Sequence, residues 1–386
     1  MATSGNFVQL HNHTHYSLLD GASKIPDLVK RAKELNMPAV GITDHGNMHG
    51  AYEMWSTAVK EGVKPIIGIE AYVTPETARQ DQTRVSWDTN WNPDIDPQHR
   101  RRNPNDVSGG GLITHLTMWA ETDEGLVNLM KASTDANLEG RVMRYPRMDK
   151  EILAKYSKGI IASSGCPSGI IQTRLLLGQF DEALRAAGEL QDIFGRDNFY
   201  IEFMDHGLKI EKQVTDGLLD IAKKLNAPLL ATNDSHYVRA EDAGSQDAML
   251  CINSGSTLDE PGRFKFDGTG YYLKSAEEMR ELFKDIPEAC DNTLEIAERC
   301  NVMFDDHEDG AFMPQFDCPE GWDETSLFLK KVEEGLERRY DGHPPIEVLK
   351  QADYECGVIC QMQFCGYFLV AVSYTHLRAH ETDQYL

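Results

Sequence analysis

The sequence lacks any uninterrupted apolar run approaching the ~18 residues that a membrane-spanning helix needs, so no membrane partner is expected. Its opening, Met1-Ala2-Thr3-Ser4-Gly5, shows no basic segment followed by an apolar one, so no signal peptide is visible. Cysteine is present but unorganised: the 8 thiols are mostly isolated in apolar surroundings and do not look like a disulfide framework. These absences make the cytoplasm the expected location. Positive charge is also scarce. With 38 Lys and Arg against 62 Asp and Glu, the net charge of −24 argues against a broad basic surface that coats nucleic acid. It serves solubility, and it does not exclude a nucleic-acid enzyme, because bound divalent cations bring their own charge to a site. Hydrophobic residues at 41% and charged residues at 26% are ordinary for a globular chain, and 386 residues fit one large domain plus a smaller piece.

What is present is an alternation. Apolar, β-prone runs at residues 7–10, 39–43, 66–72, 112–118, 159–163, 199–203 and 229–232 are interleaved with helical periodicity at 26–35, 50–61, 123–136, 181–194 and 210–225. Seven such runs predict an α/β fold with a parallel sheet, open or closed into a barrel, whose functional groups gather at the carboxyl ends of the strands. Residues 75–111 break the rhythm with Trp87, Trp91, Arg100-Arg101-Arg102 and Gly109-Gly110-Gly111. That stretch reads as an insertion loop, either a solvated connector or a lid touching substrate. After Lys274 charged helical sequence takes over, as at 275–284 and 326–339, which predicts a boundary near residue 285.

Potential ligands stand at the strand ends. The first run stops at His11-Asn12-His13, two imidazoles that a period of two places on one side, with Asp20 past a turn. The second is followed by Asp44-His45-Gly46, the third contains Glu70 and the fourth His115. The fifth leads into Gly165-Cys166-Pro167 and the seventh into Asn233-Asp234-Ser235-His236. Each has an ordinary alternative: Asp20 could start a turn, Asp44 could cap a helix, Cys166 could be packing. Together they are a five-histidine inventory with carboxylates and a thiol, which exceeds one tetrahedral zinc and suggests two or three bridged metals. Such a centre suits phosphate-ester hydrolysis, because divalent ions activate water and neutralise phosphoryl oxygens. Asp44 could also orient a neighbouring ligand, and His206, in Met204-Asp205-His206-Gly207, could contact phosphate or make a structural hydrogen bond.

His11-x-His13, Thr43-Asp44-His45, His115 and Asp234-x-His236 resemble the four motifs of the PHP (polymerase and histidinol phosphatase) family. Longer phrases narrow the likeness: Leu10-His11-Asn12-His13-Thr14, Ile42-Thr43-Asp44-His45-Gly46-Asn47-Met48, Lys64-Pro65-Ile66-Ile67-Gly68-Ile69-Glu70-Ala71-Tyr72 and Arg263-Phe264-Lys265-Phe266. These resemble the N-terminal PHP domain of bacterial replicative DNA polymerase III α subunits, nearest the high-GC Gram-positive form. The resemblance runs from about residue 7 to 370.

It implies a distorted seven-stranded (βα) barrel over residues 1–285 with a trinuclear centre of Zn, Mn or Fe. The family's nine ligands fall on His11, His13, Asp20, His45, Glu70, His115, Cys166, Asp234 and His236, with Glu70 as a bridge. A complete set resembles the subset that acts as a 3′→5′ proofreading exonuclease on a DNA primer end; degraded sets are structural. A nucleophilic Cys166 is the alternative role for that thiol. Residues 286–370, with Tyr367-Phe368-Leu369-Val370, resemble the start of the polymerase palm. The family's polymerase aspartates lie further on, so no polymerisation by this chain itself is implied. The implied partners are the rest of the polymerase, the sliding clamp and other replisome subunits. Residues 371–386 depart from the family pattern and look like translated sequencing-adapter sequence, so His376 and His380 are not counted as ligands. Cys356, Cys360 and Cys365 lack zinc-knuckle spacing and are expected in helix packing. Two rivals remain open: a free-standing PHP phosphatase acting on a small phosphomonoester, and a non-catalytic barrel stabilised by its metals.

Overall fold

The structure, a computed structural model, describes residues 6–87, 106, 111–304 and 315–382, with side chains as far as 373. Trp91, Arg100 to Arg102, Gly109 and Gly110 lie outside the described residues. The chain divides into two compact units, Met1–Phe304 and Asp305–Leu386. The first unit takes in a helix beyond residue 285, where the sequence changes character.

Its strands are β1 (Ala39–Ile42), β2 (Lys64–Val73), β3 (Thr114–Ala120), β4 (Arg147–Met148), β5 (Ile160–Ser163), β6 (Phe199–Phe203) and β7 (Leu229–Ala231). The sheet order is β1-β2-β3-β5-β6-β7, with two-residue β4 off the path against β2. The ring closes through the extended segment at residues 7–13, which bridges β1 at Gln9–Val40 and the turn after β7 at Asn12–Ser235. That segment and six strands are the staves of the predicted seven-stranded barrel.

Two expectations need correction. The sheet is mixed: β3 runs antiparallel to both β2 and β5. That reversal brings the start of β3, where His115 stands, to the end at which the parallel strands finish. The segment at 7–13 is also not a regular strand. Leu10 packs with Trp119 inside the barrel, yet the next residue, His11, bonds the interior side chains of Glu202 and Thr117. Strict alternation fails between them, and the Asn12 amide stabilises the irregularity by donating to the carbonyls of Gln9 and Gly41 at 2.9 Å each.

The helices are α1 (Ile25–Glu34), α2 (Ala51–Glu61), α3 (Asp123–Glu139), α4 (Lys150–Tyr156), α5 (Ile170–Leu176), α6 (Phe180–Phe194), α7 (Lys209–Leu225), α8 (Ala243–Ser254), α9 (Ala276–Leu282) and α10 (Pro287–Arg299). Their apolar faces pack on the outside of the staves: Leu28, Met54, Leu129 and Ala186 meet Val40, Ile67, Met118 and Ile201. The alternate strand residues, Ala39, Ile66, Trp119, Ile161, Tyr200 and Leu230, form a separate interior cluster with Val8 and Leu10. Gly68 makes this packing possible. A Cβ there would sit 2.7 Å from the Trp119 ring and 2.4 Å from the Met118 carbonyl. Helix α10 closes that end with Ile296, Ala297 and Cys300, and its Thr293 hydroxyl accepts from Val8 N at 3.1 Å.

The described part of the insertion is pinned to the barrel. Arg147, fully buried, donates to the carbonyls of Gly140, Leu112, Arg79 and Asp81. The Arg174 guanidinium lies 4.5 Å over the buried Trp87 ring.

The second unit has α11 (Glu324–Arg339), α12 (Ile346–Gln361) and α13 (Cys365–Thr382). Leu327, Phe328, Cys365 and Leu369 are its core, and Cys356 and Cys360 pack against them. Among the described residues no single helix is long and apolar enough to cross a membrane.

Candidate metal centre

Glu70 is the hub of the site. It lies on β2 two residues past Gly68, on the inward face, and its side chain is 1% exposed. Its Oε1 lies 3.1 Å from His115 Nδ1 and 3.5 Å from His11 Nε2. Its Oε2 lies 2.5 Å from His45 Nδ1 and 3.6 Å from His13 Nε2. A second carboxylate, Asp234, puts Oδ1 3.0 Å from His13 Nε2, 3.4 Å from His11 Nε2 and 3.6 Å from His236 Nδ1. Asp20 approaches from the outer side, 3.1 Å from His45 Nε2 and 3.8 Å from His236 Nε2. Cys166 Sγ stands 3.4 Å from His115 Nδ1. All nine residues singled out as ligands in the sequence therefore meet at one end of the barrel.

Three subsets have donor atoms within 4.8 Å of one another: His13, His45 and His236; His11, His13 and Glu70; His45, Glu70 and His115. Shared members link them into one cluster. Asp234 reaches it from an unusual backbone, with φ 45° in the left-handed region, which non-glycine residues seldom occupy. That turn lets the His236 ring bond the Asp234 carbonyl at 2.8 Å.

The electrostatics of the set call for cations. Both Glu70 oxygens, Asp20 Oδ1, Asp234 Oδ1, His45 Nδ1 and His236 Nε2 are buried without an aligned hydrogen bond, close as the imidazoles and carboxylates stand. Buried polar atoms are rarely left so, because desolvation is costly. Burial pushes against charge on Glu70, but the His115 and His45 rings hold its carboxyl well below the usual range. Burial likewise opposes charge on His11, yet the Glu202 and Asp234 carboxylates hold it well above the usual imidazole value. His13 is pushed down to about 3 by burial and by the neighbouring His45 and His236 rings. Divalent ions among these atoms would satisfy the orphaned donors and separate the crowded imidazoles. The residues fit the group.

The supporting contacts were less visible in the sequence. Glu202, fully buried on β6, bonds His11 Nδ1 at 2.8 Å and so orients that ring. It is held in turn by the Thr232 hydroxyl at 2.5 Å and by Ser163. Its signal was a lone charge inside Phe199-Tyr200-Ile201-Glu202-Phe203. Asp44 does not cap a helix, since α2 starts at Ala51 with Gly50 before it. Instead its carboxylate accepts from Thr14 N at 2.7 Å, Thr14 Oγ1 at 2.8 Å and Ser17 Oγ at 2.7 Å. Ser17 Oγ is also 3.1 Å from His13 Nδ1, so Asp44 positions His13 through Ser17. His206 takes the structural alternative. Its ring nitrogens lie 2.6 Å from Glu211 Oε1 and 2.9 Å from the Asn233 carbonyl, which leaves neither for a phosphate. Phe266, in the Arg263-Phe264-Lys265-Phe266 phrase, presents its ring to His236 at 4.6 Å.

Residues 9–206 match the PHP domain family, and residues 326–383 match the bacterial DNA polymerase III alpha NTPase domain. The second match crosses residue 371, where the sequence reading ends the family pattern. The chain is 50% identical over 370 residues to DNA polymerase III subunit alpha of Mycobacterium tuberculosis H37Rv, covering 96% of this chain and 30% of that one. The Mycobacterium leprae protein of the same name is 50% identical over 366 residues, covering 95% and 30%. For that of Treponema pallidum the figures are 38% over 368 residues, 95% and 29%. The chain thus spans about 30% of the length of these relatives, in their N-terminal part. Among solved structures, one described as a metal-dependent phosphoesterase from Bifidobacterium adolescentis is 17% identical with a TM-score of 0.36, covering 72% of this chain and 96% of that one. By the match that runs through its barrel, the chain belongs to the PHP domain family.

Proposed function

We propose that this chain is the N-terminal part of a replicative DNA polymerase III α subunit. Its barrel, on this reading, is a divalent-metal-dependent phosphodiesterase that removes nucleotides from DNA 3′ ends. The observation that carries the reading is the complete donor set converging on Glu70, with six buried atoms of that set left without hydrogen bonds. Two or three ions held by His11, His13, Asp20, His45, Glu70, His115, Cys166, Asp234 and His236 would activate a water and neutralise the phosphoryl oxygens. Zinc, manganese and iron all suit imidazole and carboxylate donors, and the single thiolate favours at least one zinc.

The chain's own residues prepare that site. Glu70 faces four imidazoles at once and is the natural bridge between subsets. Glu202 and Ser17 set the orientation of the His11 and His13 rings. Cys166 is a poor candidate for a free nucleophile, because burial and the nearby Glu70 carboxylate favour the protonated thiol unless a metal ion holds it. The partners on this reading are a primer 3′ end, the remainder of the polymerase, the sliding clamp and other replisome subunits.

The test is hydrolysis by the metal-loaded chain of a 3′-mismatched primer–template, beside p-nitrophenyl phosphate and histidinol phosphate. Nucleotide release from the mismatched end, abolished in Asp234→Asn, is the expected outcome. Turnover of the monoesters alone would replace the reading with a phosphatase. No turnover of any substrate, with strong destabilisation on chelation, would leave a structural role.

A further inference from the structure

If its substrate is DNA, a chain of net charge −24 needs a local cationic position to hold it, and one that the donor set does not use stands beside the metal site. It lies on the turn from Val142 to Tyr145, whose two end residues exchange backbone hydrogen bonds of 3.0 Å. At the tip, Met143 has φ 54°, a left-handed conformation that persists only where its surroundings impose it. They do so from both sides. Buried Arg147 anchors the chain just after the turn. Gly46, φ 63°, packs so closely that a Cβ would stand 2.6 Å from the Tyr72 ring and 3.3 Å from Pro146.

The turn presents Arg144. Its guanidinium lies 5.3 Å from the centre of the Tyr145 ring and donates to Asn253 Oδ1 at 2.8 Å. Tyr145 meets Tyr72 edge-on at 5.0 Å, and Tyr72 in turn stands 6.1 Å from the His45 ring and 5.4 Å from that of His115. Asn253, on α8, also reaches the carbonyl of Leu19 at 3.3 Å, while Gln246 of the same helix bonds the carbonyl of Asp20 at 3.2 Å. Arg144 is thus tied through one helix to the loop that carries the ligand Asp20. Its charged form is favoured by Tyr145 and, further off, by Tyr72 and Asp20. The residues next in sequence to these contacts carry exposed apolar side chains: Leu18 beside Leu19 at 77%, Met143 beside Arg144 at 75% and Ile252 beside Asn253 at 67%. An exposed cation whose neighbouring residues carry exposed apolar side chains, near a phosphoesterase centre, matches a nucleotide, which offers an anionic phosphate beside an apolar base face.

Building on the phosphodiesterase reading above, we propose that Arg144 holds the phosphate next to the scissile bond, with Leu18, Met143 and Ile252 taking the attached unpaired base. Arg144 is then a positioning residue for a single-stranded end. Its planar guanidinium is already oriented by Asn253 and the Tyr145 ring, so little freedom is lost on binding.

The experiment measures fluorescence anisotropy of a 5′-labelled single-stranded oligonucleotide with phosphorothioate 3′ linkages, titrated with the metal-loaded chain across a salt series. Arg144→Gln is expected to weaken binding by about tenfold and to flatten the salt dependence by about one counterion. Arg144→Lys should keep the slope, and the exposed Lys131→Gln on α3 should bind as wild type. A Leu18→Ser, Met143→Ser double variant should lose affinity for this probe but not for one ending in an abasic nucleotide. Wild-type affinity and slope in Arg144→Gln, a loss no larger than that of Lys131→Gln, or no binding by the parent chain at any salt overturns the proposal. Turnover separates it from the reading on which it rests. If bis(p-nitrophenyl) phosphate is hydrolysed and Arg144→Gln leaves the oligonucleotide KM unaltered, the phosphodiesterase stands and the Arg144 role falls. Arg144-dependent binding without hydrolysis of any diester gives the converse.

Discussion

The two ends of the barrel are built from the same staves and obey opposite rules. At one end Ile66, Trp119, Ile161, Tyr200 and Leu230 fill the interior and α10 seals it, so nearly every buried atom is satisfied by packing. Two to four residues away along those strands, backwards in antiparallel β3, the interior holds Glu70, Thr117, Ser163, Glu202 and Thr232, together with the imidazoles. There, buried polar atoms outnumber the partners available to them. The same strands run through both ends, apart from the slip at His11 and the left-handed Asp234, both at the polar one. The difference lies in side chains, and it separates a region that makes the barrel stable from one that gives up stability for a site.

The sharpest break of this comparison is Trp119→Ala. At the apolar end it should cost about 3–5 kcal/mol by cavity formation, read by denaturant unfolding, and disable the site only through unfolding. Removing the metals by chelation is next. Ions bound to the folded chain alone contribute about 2.7 kcal/mol at a hundredfold excess over Kd, so calorimetry should show a lower Tm with no loss of secondary structure by circular dichroism. Glu202→Gln addresses the polar end without emptying it. The volume is kept, so stability should change little, whereas metal affinity should fall about 10–100-fold through the misdirected His11 ring. Ser17→Ala, which breaks the link from Asp44 to His13, should lower metal affinity by less than that of Glu202→Gln.

The smallest effect concerns Lys274, beneath the Asp234 turn. It donates to Asn233 Oδ1 at 2.6 Å, and burial lowers its pKa to about 8. The unfolded chain therefore binds more protons between that value and the ordinary lysine pKa, and stability should rise with pH across this window. Lys274→Met should remove the slope in a pH series of urea melts.

Much of the architecture could be read from local pattern. Residues 39–42, 199–203 and 229–231 form strands where apolar runs predict them, and α1, α2, α6 and α7 fall within a residue or two of their periodicity. The candidate donors were visible as imidazole, carboxylate and thiol groups at or near strand ends, and the resemblance to the PHP family singled out the nine as one set. Strand direction was not visible. β3 has the same apolar composition either way round, and only its pairing with β2 and β5 makes it antiparallel. Glu202 was missed because one charge in an apolar strand looks like an exception until His11, 191 residues away in sequence, is placed against it. His206 and Asp44 each had two readings, which only the identity of their hydrogen-bond partners could separate.

By itself the sequence determined which chemical groups are available and the short-range order that places them at the ends of elements, because propensity and side-chain alternation are local properties. The tertiary structure decided that these groups meet. Closure of the ring by residues 7–13, the slip between Leu10 and His11, the left-handed backbone at Asp234 and the turn that carries Arg144 all depend on contacts distant in sequence. The same holds for the charge on His11 and His45, which is favoured against burial by the carboxylates the fold brings beside them in a poorly screened interior.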